Sequence, residues 1–245
     1  MLAGVRRFRH IASRGLGRYW SLAIIHTTKT MGYFLAVTGF KTESIADVTS
    51  AITDYLGSHR VAAQSLPLGS RFNDGRDAEI YAPVNGWAVV LWPQYFNLHD
   101  FPLVRSVASV RGWLISTIHV YDSDYWEHLS CSGNTELHAF CSRPHYWQDD
   151  APEDSERMMA YDSNPSRLAA AAGVSTQGIL PYLVDVDALP DPEAKAHTDD
   201  QFALGDFWVF VDFWRHLGIT YPTPPQGLAG GLRLGQDFGK KLPAA

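Results

Sequence analysis

The segment "WLISTIHVY", residues 113–121, limits the possible folds more than any other part of the sequence. In a β-strand, even-numbered and odd-numbered residues point to opposite faces of the sheet. Both of these sets are largely apolar here, so both faces need to be covered by other parts of the protein. We therefore predict that residues 113–121 form a central strand of a sheet that is packed on both sides.

The patterns around this segment predict a mixed body over residues 31–150. An apolar strand comes first, and residues 42–57 then show the three–four spacing of an amphipathic helix. Asn85-Gly86 between two apolar runs indicates a β-hairpin, and a short helix is predicted directly after Asp100, its expected N-cap. This order predicts an α+β fold with a mostly antiparallel sheet and helices on one face.

From residue 151 onward the patterns become helical. Residues 164–173 begin with Asn-Pro and end with Gly, which are preferred at the start and the end of a helix. Residues 205–218 carry an aromatic stripe at helical spacing. We predict a helical subdomain over 151–221 that packs on the body, followed by a disordered Pro/Gly-rich tail over 222–245.

The charges are unevenly distributed. Residues 1–30 contain six of the 20 basic residues and none of the 26 acidic ones. This basic arm has the composition of a mitochondrial-type transit peptide, but a disordered arm, or translation that begins at Met31, is the favoured interpretation. The remainder is strongly acidic, which argues against nucleic-acid binding by the folded part because phosphate would repel it.

Cysteines and apolar runs bear on the compartment. Cys131 and Cys141 are the two cysteines, too few for a disulfide framework. The longest apolar stretch near the N-terminus is far shorter than the roughly 20 residues that span a bilayer, and it does not fit a secretory signal. We expect a cytoplasmic protein that has no membrane contact.

The hairpin after the central strand carries most of the candidate functional residues. If residues 132–134 form a three-residue loop, one side of the hairpin is mainly apolar and faces the core. The other side then pairs two histidines and two aromatic residues across the strands, and it faces solvent or a partner. This predicted partner-binding strip consists of Trp126, His128, His138 and Phe140, with Asp122 and Asp124 at its end.

Two chemical alternatives are open in the same region. His128 and His138 could share a divalent metal with Glu136, although no complete ligand motif such as HExxH is present. Asp122 and Asp124 form an Asp-x-Asp step after an apolar strand, a pattern by which nucleotide-sugar transferases hold a metal and a diphosphate. An ordinary strand exit, with these side chains bonded to nearby backbone amides, is the favoured interpretation.

The leading functional hypothesis is a binding protein. Tryptophan, tyrosine and phenylalanine make up 13% of the chain, and such rings are enriched in interfaces. No nucleophile elbow, phosphate-binding loop or dinucleotide fingerprint occurs, so no cofactor is expected and whether the protein is an enzyme stays open. We predict a protein–protein interaction module with a basic partner. The alternative is a metal-dependent hydrolase or transferase that uses the His/Asp cluster around residues 119–138.

Overall fold

The computed structural model describes residues 33–224 and 226–244. They belong to a compact unit that begins at Gly32. The strands and helices follow in this order: β1 (Leu35–Lys41), α1 (Ile45–Ser58), β2 (Ala63–Leu66), β3 (Asp77–Val84), β4 (Trp87–Leu91), α2 (Asp100–Arg111), β5 (Leu114–Tyr121), β6 (Tyr125–Ser132), β7 (Thr135–Cys141), α3 (Pro152–Met159), α4 (Pro165–Ala172), α5 (Thr176–Ile179), α6 (Val209–His216), β8 (Leu228–Leu234) and α7 (Phe238–Lys241). The predictions for residues 1–30 fall outside the described residues.

The eight strands form one antiparallel sheet in the order β2-β8-β3-β4-β1-β5-β6-β7. The predicted α+β class is confirmed. Strand β5 lies between β1 and β6, and seven of its eight residues are buried. Its predicted central position is confirmed as well. A strand that is apolar on both faces needs a neighbour on each edge and a covering layer on each face.

Each face of the sheet carries its own apolar core. Helices α1 and α2 cover one face through residues such as Ile52 and Val104. Helix α6 covers the other face with Phe210 and Phe213, which are fully buried. Burial of one such ring stabilises the fold by about 1.5–3 kcal/mol. The C-terminal helices therefore supply the second layer that β5 requires.

The helices that capping residues and apolar spacing predicted are present in the structure, with small differences in where they begin and end. Ser44 caps α1 by accepting a hydrogen bond from the backbone N–H of Asp47 at 3.1 Å. Asn164 caps α4 in the same way, and Gly173 ends that helix with a left-handed φ of 75°. Helix α6 begins only at Val209, whereas the pattern predicted a helix from residue 205.

The predicted hairpin register is wrong. The turn between β6 and β7 has two residues rather than three, because Ser132 pairs with Thr135. A bulge in β7 then shifts the register, so that His138 lies opposite Ser130 and not opposite His128. The one-residue change in the turn and the one-residue bulge add up to a two-residue shift, which keeps each side chain beyond the bulge on the same face of the sheet. The two histidines therefore stay on the same face, as diagonal neighbours.

The predicted disordered tail is also wrong. Strand β8 pairs with β2 on one side and with β3 on the other, and it buries Leu232 and Leu234 in the core under α1 and α2. Arg233 anchors the strand through two hydrogen bonds to Asp77, at 2.8 and 2.7 Å. The glycines of β8 have a low preference for strands, so little in the sequence indicated a strand here. Hydrogen bonds to β2 and β3 nevertheless hold this segment in the sheet.

Candidate functional site

The strip that was predicted to face a partner lies inside the protein. Trp126, His128, His138 and Phe140 are each at most 7% exposed. Phe213 of α6 packs against Trp126 and His128, with ring centroids 5.5 and 5.0 Å apart. The interpretation of these four residues as an exposed contact surface is wrong, because the C-terminal helical layer covers that face of the sheet.

The two histidines form the centre of a buried hydrogen-bond network. Their Nδ1 atoms are 2.9 Å apart, and Nε2 of His128 lies 2.9 Å from the hydroxyl of Ser116. Trp214 of α6 donates its indole N–H to the same hydroxyl at 3.0 Å. Burial holds the pKa of His128 well below its usual value and lowers that of His138 to about 4. Both rings are therefore neutral at neutral pH.

The predicted metal set of His128, His138 and Glu136 is not assembled. Because of the bulge in β7, Glu136 lies opposite Cys131 on the other face of the sheet. There it forms an exposed ion pair with Arg105 of α2, with an N–O distance of 3.0 Å. The two histidines thus have no carboxylate from Glu136 within reach, which contradicts the metal alternative in its predicted form.

A second buried network was missed by the sequence analysis. His119 lies on the α2 side of β5, between the carboxylates of Asp100 and Glu127. Asp100 is the first residue of α2 and does not act as the predicted N-cap; it also accepts a hydrogen bond from the hydroxyl of Thr117 at 3.1 Å. Burial by itself lowers the pKa of His119, but the two carboxylates outweigh it and raise the pKa to about 10.

One signal in the sequence could have revealed this network. Glu127 was placed on the side of the hairpin that faces the core, and a carboxylate in such a position needs a partner. His119 is its direct neighbour across β5 and β6. Each ring nitrogen of His119 is bonded to a carboxylate, so neither is free to take a proton from a substrate or to bind a metal. The arrangement is that of a structural network.

Among the described residues, one group has ligand atoms close enough together to hold a metal ion: Asp199, Asp200 and His216. Arg215 already donates to Asp199 at 2.8 Å and to Asp200 at 2.7 Å. Asp200 also accepts the hydroxyl of Tyr182 at 2.6 Å. The Arg215 guanidinium thus balances these carboxylates without a metal ion, so the cluster supports the fold of the 176–217 segment rather than a metal centre.

The most open concentration of functional groups lies at the end of the sheet where β1 begins and β5 ends. Phe34 contacts Tyr95 and Tyr121, with ring centroids 5.2 and 5.0 Å apart. Tyr121 in turn contacts Trp147 at 5.3 Å. Each of these rings is partly or largely exposed. We call this group the aromatic belt, and it consists of Phe34, Tyr95, Tyr121, Tyr146 and Trp147.

Two of the predicted partner-binding residues lie beside the belt. Asp122 and Asp124 occupy the turn between β5 and β6, and Asp122 and Ser123 both have left-handed φ angles. Tyr146 donates its hydroxyl to Asp124 at 2.6 Å, and this bond is the main cause that raises the pKa of Tyr146 to about 12. The turn thus holds carboxylates against the belt, which is a different set of residues from the predicted strip.

A cavity of about 390 Å³ adjoins the belt at its other end. Phe34 belongs to both the belt and the cavity wall, and Tyr33, which precedes it in the chain, lines the cavity as well. The wall contains apolar side chains from β1 and β4 and carboxylates from β3 and from the loop before it. Its other lining residues are Leu35, Asp74, Asp77, Glu79, Leu91, Trp92, Gln94 and Pro224.

Comparison of the chain with protein-family models, with curated proteins and with solved structures finds no match. Among the residues that the structure describes, none of the helices has both the length and the apolar character needed to cross a bilayer. The belt, the carboxylates beside it and the adjoining cavity are therefore the features that bear on function.

Proposed function

We propose that this protein is a cytoplasmic protein–protein interaction module that binds a basic partner through the aromatic belt and its carboxylates. The observation that carries the proposal is the belt itself. Five rings linked by contacts are partly or largely exposed at one end of the sheet, and Asp124, in the same turn as Asp122, accepts a hydrogen bond from one of them. Aromatic residues that expose a face at the surface are typical anchors of protein interfaces.

The charge near the belt favours a cationic partner. Asp122 and Asp124 lie beside the belt, and exposed Asp149 and Asp150 follow Trp147 closely in the chain. Carboxylates at the rim of an interface attract a basic partner at long range, whereas the rings supply the contact area. The acidic balance of the chain disfavours nucleic acid for the same electrostatic reason.

Backbone strain in the belt also supports a role in binding. Tyr95 has a φ of 66° and is 45% exposed. A bulky residue in this left-handed conformation costs about 1–3 kcal/mol and is found most often where the surrounding structure fixes it for a function. An aromatic residue is usually explained by burial of its ring in the core. The ring of Tyr95 is half exposed and its backbone is strained, so a contact with a partner explains this residue better.

The state of the cysteines supports the cytoplasmic part of the proposal. Cys131 and Cys141 are free thiols, and both are buried. Burial raises the pKa of Cys131 to about 12, so this thiol is unreactive at neutral pH. Free, unpaired cysteines are usual in a reducing compartment.

Site-specific photocrosslinking of the full chain tests the proposal. A photoreactive phenylalanine replaces Tyr95 in the belt in one variant and Val110 of α2, which is 77% exposed, in the control. We expect a discrete crosslinked partner at Tyr95 and none at Val110. The partner is then purified and titrated with the unmodified protein at low and at high salt.

The purified complex gives the decisive comparison. The double substitution Asp122→Asn/Asp124→Asn is expected to weaken binding about fivefold at low salt and less at high salt, because two rim charges are lost. The substitutions Glu43→Gln/Asp47→Asn remove two exposed charges at the opposite end of the sheet and should leave binding unchanged. A partner that binds equally well to both double variants, or equal crosslinking at both positions, would contradict the proposal.

A further inference from the structure

We infer that the cavity beside the aromatic belt is a site for one aliphatic cationic side chain, an alkylguanidinium or alkylammonium group. This inference rests on the proposed function, because it names the group of the basic partner that the belt would position. We call the cavity the cation pocket. Its volume of about 390 Å³ lies in the range of small-molecule sites.

The walls of the cation pocket suit the stem of such a side chain. Leu35 of β1 and Leu91 of β4 are neighbours in the sheet and give an apolar surface. The rings of Tyr33 and Trp92 also line the space. Methylene groups of lysine and arginine pack on such surfaces, and aromatic faces attract the charged head group.

The carboxylates of the pocket differ in how they are satisfied. Asp77 is neutralised, because Arg233 binds both of its oxygens and Arg76 lies nearby; the hydrogen bonds from Arg233 are the main cause that lowers the pKa of Asp77. Glu79 and Asp74 form no ion pair within residues 33–224 and 226–244. Two negative charges of the wall are therefore left without a cation among these residues.

Glu79 is held in place for this role. It projects from β3 between Leu91 and Gly231 on the neighbouring strands, and it accepts a hydrogen bond from the hydroxyl of Tyr81. The pKa of Tyr33 is raised mainly by burial and in second place by the negative charge of Asp74, which therefore lies near this tyrosine. One carboxylate is thus fixed on the sheet, and the second lies on the exposed loop at the mouth.

The pocket is tested directly with N-butylguanidinium as the probe and with N-butylurea as a neutral compound of the same shape. The reporter is the indole N–H of Trp92, which donates to the hydroxyl of Thr38 at 2.8 Å and is visible in a ¹⁵N–¹H correlation spectrum. We expect saturable shifts of this signal with N-butylguanidinium and none with N-butylurea. The full chain is used at low salt.

Two matched substitutions test whether the negative charge of Glu79 is needed for binding. Glu79→Gln keeps an acceptor for Tyr81 and removes one charge, so it should weaken binding of N-butylguanidinium about tenfold. Glu43→Gln makes the same chemical change at the opposite end of the sheet and should leave binding unchanged. Equal binding of the urea, or equal affinity of the two variants, would overturn the cation pocket.

The two proposals fail in distinguishable ways. A basic partner that crosslinks at Tyr95, together with no saturable binding of N-butylguanidinium, would overturn the cation pocket and leave the proposed function in place. Saturable binding of the guanidinium with no partner at Tyr95 would overturn the proposed function and leave a site for a small cation. Binding of both supports both proposals.

Discussion

His128 and His138 share a hydrogen bond between their Nδ1 atoms, 2.9 Å apart, in the apolar layer between the sheet and α6. One Nδ1 must donate a proton and the other must accept it, so at least one ring must be neutral, and the bond is lost when both rings are protonated. Phe213 lies against His128, and both histidines are 0% exposed, so water cannot solvate an added charge. The pair therefore couples folding to pH.

The first prediction is a loss of stability in mild acid. The pKa of His138 is lowered to about 4 in the folded state, against 6.5 in a solvated histidine, and that of His128 is lowered as well. The unfolded chain binds more protons in this window, so stability falls as the pH drops from 6.5 toward 4. Each histidine should reduce the free energy of unfolding by about 2 kcal/mol between pH 7 and pH 5.

Urea unfolding at several pH values measures this effect. His138→Leu removes one titrating group from the pair. The free energy of unfolding of this variant should therefore change less with pH than that of the unsubstituted protein, even if the two differ at pH 7. His145→Leu removes an exposed histidine and should keep the full dependence. The same pH dependence in both variants would show that the buried pair is not responsible.

The second prediction concerns His119 and has the opposite sign. Its pKa is raised to about 10 by Glu127 and Asp100 against the effect of burial, so the folded state holds its proton more tightly than the unfolded chain. The stabilisation is fully present below about pH 6.5 and is lost as the pH rises toward 10. His119→Gln leaves two buried carboxylates without a cation, which should cost about 3–5 kcal/mol at pH 6.5.

The pH dependence of the difference is the test. The gap in unfolding free energy between the unsubstituted protein and His119→Gln should narrow by on the order of 3 kcal/mol between pH 6.5 and pH 9. His59→Gln, at the end of α1, serves as the control and should show no such narrowing. A gap that is constant or grows with pH would mean that His119 is neutral in the folded protein.

The third prediction compares one chemical change at two glycines. A methyl group at Gly231 of β8 would collide with the ring of Phe72 and would lie 2.5 Å from the carbonyl oxygen of Ala78. Gly231→Ala should therefore destabilise the fold by about 1–3 kcal/mol. Gly57→Ala in α1 has open space around the new methyl group and should stabilise the helix by about 0.5–1 kcal/mol.

Thermal or urea unfolding of the two glycine variants also tests the place of β8 in the sheet. If residues 228–234 were a disordered tail, Gly231→Ala would have almost no effect on stability. A neutral result at Gly231 together with the expected gain at Gly57 would contradict the pairing of β8 with β3.

The signals that predicted structure correctly are those that act over a few residues. Ser44 and Asn164 bond to backbone groups three residues away, and the hairpin at Asn85-Gly86 depends on left-handed φ angles at its two turn residues. Asp100 shows the limit of such reasoning. Its position before an apolar run is typical of an N-cap, but the nearby His119 and Thr117 bind its carboxylate instead.

By itself, the sequence determined the α+β class, the central position of β5 and the need for a layer on both faces, because these follow from the periodicity of apolar residues along the chain. It also located carboxylates in the turn at Asp122 and Asp124. Only the tertiary structure decided which face of the β6–β7 hairpin is covered, because Phe213 of α6 lies far away in sequence. The same holds for β8, whose hydrogen-bond partners in β3 and β2 are about 150 and about 170 residues distant and leave no local pattern.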